Sequence, residues 1–236
     1  MALSHACQDE HMLVFRFMAA QPHSNEAAAP ERPDRRARRR QETIEEILDI
    51  AVDVMTEEGV NGLSLSEVAR RLGVQPPSLY KYFPSLIAVY DALFMRGQID
   101  NRDVVRSAMA EASPGLDALR SGLDASARWS VDNKALAQLS FWRPVPNFEP
   151  STEAFEPSQE MVELFRAAMA DAVAARQLGP GADSDEALSM VSTMLAGVLS
   201  QTMSNEPDQP WGEGRFTPVL GKLLDLLPAA YPPSAG

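Results

Sequence analysis

The stretch LSLSEVARRLGVQPPSLYKYF, residues 63–83, decides how this chain folds. Ser64 followed three residues on by Glu67 is a capping box that opens a short helix. Gly73 closes it, because a tight turn there needs a positive φ that glycine adopts without strain. Leu65, Val68, Ala69, Leu72 and Leu79 recur at spacings that face a common core. Pro76 or Pro77 suits the first turn of a second short helix, where a missing N–H is harmless. Left outside are Gln75, Pro76, Pro77, Ser78, Tyr80, Lys81 and Tyr82, a small, hydroxyl-bearing and aromatic set. A short helix, a turn and a second helix of that character is the layout that enters a DNA major groove.

The flanks agree. Thr43 with Glu46 reads as another capping box, and Ile44, Ile47, Leu48, Ala51, Val52 and Met55 form one apolar stripe that ends at Gly59. A further helix, about residues 84–102, carries Leu86, Val89, Tyr90, Leu93 and Phe94. This ordered pattern over residues 41–95 resembles the N-terminal domain of the tetracycline-repressor (TetR) family. The resemblance implies DNA contacts from Ser64, Ser66, Gln75, Pro76, Pro77, Ser78, Tyr80, Lys81 and Tyr82. Tyr80 would bond a phosphate through its hydroxyl, and Ser78 a base or the backbone. Lys81 would meet a phosphate or a guanine, and the prolines a thymine methyl. Family members commonly carry a lysine at the start of the following helix, where it grips a phosphate; this chain has Leu86.

Charge is the apparent objection, since the chain's net charge is −12. Residues 91–236 hold 20 acidic and 11 basic side chains, and residues 41–90 hold 8 and 3, so the reading domain is itself acidic. Against this stand Arg35, Arg36, Arg38, Arg39 and Arg40, directly ahead of the first helix. Residues 1–40, with Pro22, Pro30 and Pro33, read as a disordered basic arm. Alone such a run is a solvated tail. Beside a helix-turn-helix, Arg38, Arg39 and Arg40 are expected to bind phosphates by counterion release or to enter a narrow minor groove.

Composition excludes much else. No run approaches the ~20 apolar residues of a membrane span, and residues 1–29 lack the pattern of a signal peptide, so a cytoplasmic protein without membrane partners is expected. Cys7, His5, His11 and His23 all lie in the arm, leaving the packed part without those types. No metal, cofactor or nucleophile–base chemistry is therefore expected, and only unplaced carboxylates speak for an enzyme.

The rest of the chain reads as all-α, with helices near 114–132, 134–142, 158–178, 184–204 and 216–227. A proline-rich connection over residues 143–157 reads as irregular. The expected organisation is an arm (1–40), a helix-turn-helix domain (41–90), a helical ligand-binding and dimerisation domain (91–230) and a disordered tail (231–236). In residues 184–204 one face carries Leu188, Val191, Leu195 and Val198, another Met190, Met194 and Gly197. Monomer core packing accounts for both. The resemblance instead implies a homodimer, assigned here to Leu188, Val191, Leu195, Val198, Leu220, Leu223 and Leu227. It also implies a small-molecule cavity, for which Trp129, Phe141, Trp142, Phe148, Phe165, Met169, Met190 and Met194 are the natural lining, ordinary core packing being the alternative for each. The implied function is a ligand-responsive repressor of a pseudo-palindromic operator, released by an apolar small molecule. The alternative is a degenerate member acting as a small-molecule or protein binding module.

Overall fold

Helix α1 spans Arg35–Glu58 and begins six residues before the expected boundary of the arm. Beyond Pro33 no proline or glycine interrupts the chain until Gly59, and arginine, alanine and glutamine are good helix formers. Thr43 accordingly caps nothing: it lies inside the helix and its hydroxyl donates to the Arg39 carbonyl at 2.9 Å. The computed structural model describes residues 35–233. Cys7, His5, His11, His23 and the rest of the expected arm before Arg35 lie outside them, as do residues 234–236. Among the described residues, 39–233 make one compact unit, and Arg35–Arg38, the first residues of α1, belong to another.

All regular elements among the described residues are helical. After α1 come α2 (Leu65–Leu72), α3 (Leu86–Glu111), α4 (Leu116–Asp132), α5 (Lys134–Trp142), α6 (Thr152–Ala174), α7 (Asp185–Asn205), α8 (Val219–Leu224) and α9 (Leu227–Ala230). Single 3₁₀ turns stand at Val60–Gly62 and Pro76–Ser78.

Two apolar cores organise these helices. The first joins Ile47, Leu48, Ala51, Val54 and Met55 of α1 to Val68, Ala69, Leu79 and Phe83, then continues through Leu93 and Phe94 to Trp129, α5 and Phe148. The head's core thus runs past residue 90 into the body. The second holds α4, α6, α7 and α8 together through Leu119, Leu123, Met169, Leu195 and Leu199. Tyr90 ties α3 to the head by donating its buried hydroxyl to the Val60 carbonyl at 2.7 Å.

The proline-rich connection is shorter than its sequence suggests, because α6 starts at Thr152 and carries Pro157 inside it. Ser151 caps that start, accepting the Ala154 N–H at 3.1 Å. Asp91 of α3 holds the cap in place, accepting the Ser151 N–H at 2.7 Å and the Ser151 hydroxyl at 2.8 Å. The last expected helix is also broken, into α8 and α9. Tyr231, expected to open a disordered tail, accepts the Gly179 N–H at 2.8 Å.

Candidate nucleic-acid interface

Ser64 caps α2 by accepting the Glu67 N–H at 3.3 Å, but Glu67 does not reach back to complete the box. Its carboxylate is taken by Arg70, at 2.8 and 2.6 Å, and by Arg71 at 2.7 Å. Those hydrogen bonds hold the Glu67 carboxyl down to about 2. Arg71 also grips Glu57, at 3.0 and 2.8 Å, and holds that carboxyl below its ordinary range. The cations of α2 are therefore already paired with glutamates.

Gly73 ends α2 at φ 74°, its N–H donating to Arg70 and the Val74 N–H to Ala69, the Schellman pattern. The reading segment that follows is tighter than the helix expected from its sequence. Consecutive Pro76 and Pro77 supply no N–H, so its bonds begin with Ser78 to Gln75, 2.8 Å, and Leu79 to Pro76, 3.0 Å. Turns through residues 79–82 complete it. Leu79 is fully buried and anchors the segment. Gln75, Pro77, Tyr80 and Lys81 are exposed, Tyr80 at 55%, while Pro76, Ser78 and Tyr82 are half-buried. Ser66 is exposed, and the Ser64 hydroxyl, 3.3 Å from that of Ser66, is engaged in its cap.

Tyr82 gathers its neighbours. The Arg40 guanidinium lies 5.1 Å and the Lys81 ammonium 4.8 Å from its ring centre. Arg40 also donates to the Lys81 carbonyl at 3.0 Å. The Thr43 hydroxyl foremost, then Lys81 and Arg40, holds the Tyr82 phenol below its ordinary value. Arg38 and Arg39 are exposed and helical, not part of an irregular arm. Leu86, where family members commonly carry a lysine, sits half-buried against the first core behind the Ser85 cap. Its position serves packing.

The residues expected to line one cavity do not gather at one site. Trp129 and Phe148 belong to the first core, where Phe148 lies 5.9 Å from Tyr90 and 6.2 Å from Phe94. Phe165 and Met169 belong to the second. Phe141 and Trp142 are exposed at the end of α5.

The two apolar faces of α7 have different surroundings. Leu188, Val191, Leu195 and Val198, assigned to a dimer interface, are buried in the second core with Leu220 and Leu227. Of that set only Leu223 is half-buried. Met190 and Met194, assigned to a ligand, instead border an open groove of about 490 Å³ with Thr193, Gly197, Val198, Gln201, Phe216, Val219 and Leu223. Both stripes are apolar at helical spacing, and only the third dimension decides which one α4, α6 and α8 cover.

Sequence reasoning had no signal for Asp91 as the cap of α6 or for Arg40 as a partner of Tyr82; each is a long-range contact. It did mark the Met190–Gly197 face, with another role for its methionines. Among the described residues no three His, Cys, Asp or Glu side chains form a metal-binding group, and no helix is long and apolar enough to cross a membrane.

A capped helix, a glycine turn and an exposed reading segment, set on a helical body, define a helix-turn-helix protein. The family model for bacterial regulatory proteins of the tetR family matches residues 47–93. A 32% identical stretch of 87 residues matches the uncharacterised HTH-type transcriptional regulator YobS of Bacillus subtilis, over 37% of this chain and 45% of the relative. A 45% identical stretch of 47 residues matches the class A tetracycline repressor from transposon 1721 of Escherichia coli, over 20% of this chain and 22% of the relative. The matched stretches thus span less than half the length of either curated relative. The fold extends the likeness. The structure of the fatty acid degradation regulator FadR from Bacillus halodurans covers 78% of this chain and 93% of its own, with TM-score 0.65 and 20% identity. Over residues 47–93 the chain is thus similar to the tetR family of bacterial regulatory proteins.

Proposed function

We propose that this protein is a dimeric, ligand-responsive transcriptional regulator, a repressor that binds a pseudo-palindromic duplex DNA operator and leaves it when a small molecule binds. The observation that carries the reading is the segment after Gly73: Leu79 anchors it in the core while Gln75, Pro77, Tyr80 and Lys81 stand exposed. Those side chains, with Pro76, Ser78 and Ser66, are the candidate contacts to bases and phosphates. Arg38, Arg39 and Arg40 supply positive charge at the start of α1. No enzymatic role, cofactor or membrane partner is proposed, and the site of action is the cytoplasm.

The dimer surface is the groove of α7 and α8, an apolar strip that a second copy covers when the two heads bind one duplex. Two-fold pairing sets two reading segments about 34–36 Å apart, or a multiple of that, and demands a matching repeat in the DNA.

The effector site is proposed among α3, α4 and α5. Five of the buried polar residues, Gln98, Asn101, Ser126, Ser130 and Ser140, lie on these three helices. The Asn101 Oδ1 and the Ser140 hydroxyl have no hydrogen-bond partner there. No charged side chain belongs to that set, so the effector is an uncharged, largely apolar molecule with a hydrogen-bonding group. A ligand that prefers the form with wrongly spaced heads by ~2 kcal/mol weakens operator binding about thirtyfold.

The test is selection from random-sequence duplexes by the purified full chain at moderate salt. Recovery of a pseudo-palindrome supports the reading. Recovery of unrelated fragments overturns it and favours a small-molecule or protein binding module, the reading suggested by an acidic head whose α2 arginines are already paired.

A further inference from the structure

Arg40 stands apart from the other arginines that precede the apolar part of α1. It continues the stripe of Thr43, Ile44 and Ile47, at spacings of three and four that share one helix face. Residue 39 is rotated about 100° from it. The stripe faces the head's core, and so Arg40 meets the end of the reading segment.

The chemistry of that end explains why a guanidinium is wanted. The Lys81 carbonyl cannot be satisfied by a turn bond from residue 84, because residue 84 is a proline without an N–H. Arg40 Nη1 supplies the missing donor at 3.0 Å. Its guanidinium carbon then lies 5.1 Å from the Tyr82 ring centre, and the Lys81 ammonium lies 4.8 Å from the same centre. One aromatic ring therefore orders two cations, and one of them fixes the backbone that carries the other.

We infer that Arg40 is a positioning residue of the DNA interface: through the Lys81 carbonyl and the Tyr82 ring it sets the reading segment on α1 and aims the Lys81 side chain at the duplex. It is not one more interchangeable phosphate-neutralising charge. Lysine cannot replace it, since an ammonium lacks the planar fork that bonds a carbonyl and stacks on a ring together. The inference rests on the DNA-binding reading proposed above, and its test separates the two.

The experiment uses the full chain, the duplex that the wild-type protein selects and a scrambled duplex, each titrated across a salt series. Arg40→Lys and Tyr82→Leu are expected to lose about tenfold in preference for the selected duplex, the scale of one exposed cation–ring contact with one charge-assisted hydrogen bond. Their salt slopes stay at the wild-type value, because the net charge is kept. Arg106→Lys, the same exchange at a surface ion pair of α3, keeps the preference. Wild-type preference in Arg40→Lys, with Arg40→Ala weakening both duplexes alike and lowering the slope by about one, overturns the inference and makes Arg40 a phosphate contact.

A second readout needs no DNA. In the wild-type protein the Arg40 Nε–H proton resonance is expected to be displaced by the Tyr82 ring current and to return to its ordinary position in Tyr82→Leu, thermal unfolding confirming that the variant is folded. An unmoved resonance overturns the inference. Failure of the wild-type protein to select any duplex sinks the DNA-binding reading and leaves this resonance to decide the contact.

Discussion

Replacing Met194 by glutamate tests the dimer surface proposed on α7. Met194 is half-buried at the open groove beside Gly197 and Phe216, one helical turn from Met190. A variant charge there stays in water in the isolated chain, so folding is little affected. In a two-fold dimer the same substitution occurs twice, and each carboxylate loses water against apolar surface. Charging one buried interface position without a partner costs about 2–3 kcal/mol after relaxation, an estimate scaled from the removal of single partners in buried pairs. Two copies then cost about 4–6 kcal/mol, a factor of roughly 10³–10⁴ in the dimer dissociation constant. Sedimentation velocity over a concentration series is expected to show wild-type dimer and variant monomer at micromolar protein. Leu195→Glu is the contrast. Leu195 is only 7% exposed and packs in the chain's own second core, so its variant should lose thermal stability. A Met194→Glu protein that remains dimeric, with Leu195→Glu folded and monomeric, would refute the assignment of the groove.

Three further outcomes follow from contacts already described. Phe148→Ala removes a buried ring packed on Tyr90 and Phe94 and should lower stability by about 3–5 kcal/mol, read as a urea midpoint; a change under about 1 kcal/mol would mean the ring is not anchored there. Asp91→Ala strips two acceptors from Ser151 at the start of α6 and should lower stability by about 1–2 kcal/mol, with faster amide exchange at the first turn of α6. Equal exchange rates in both proteins would dismiss the long-range cap. Glu67 has a folded value of about 2 against an ordinary 4.5, so its stabilisation is full above about 4.5 and is lost as pH falls toward 2. The stability gap between wild type and Glu67→Gln should therefore be open at pH 7 and close on acidification through that window. A gap that widens with acid would reverse the argument.

The head was legible because its signals are local. A serine cap three residues before the N–H that donates to it, a glycine at positive φ and apolar residues at helical spacing each act within one turn of chain. The failures were long-range or ambiguous by nature. Thr43 and Glu46 match a capping box in type and spacing, yet the helix forms through them because nothing upstream breaks it before Pro33. Pro157 signals a loop until Asp91, distant in sequence, holds the Ser151 cap and α6 starts ahead of the proline. The residues expected at a dimer interface lie in the chain's own core, because α7 has two apolar stripes and sequence does not say which one the protein covers itself. The proposed cavity residues scattered for a similar reason, since bulky aromatic and sulfur side chains mark cores as readily as ligand chambers.

On the DNA-binding reading proposed above, the pairing of Arg70 and Arg71 with glutamates bears on how the protein searches a genome. Positive charge spread over a DNA-facing surface makes a regulator adhere to any duplex, and the genome then acts as a sponge for it. Here the cations of α2 are spent internally on glutamates. Residence on unrelated sequence should be brief, with arrival at the operator by repeated three-dimensional encounters instead of long one-dimensional sliding. A few molecules per cell can then keep an operator occupied, because few of them are soaked up elsewhere.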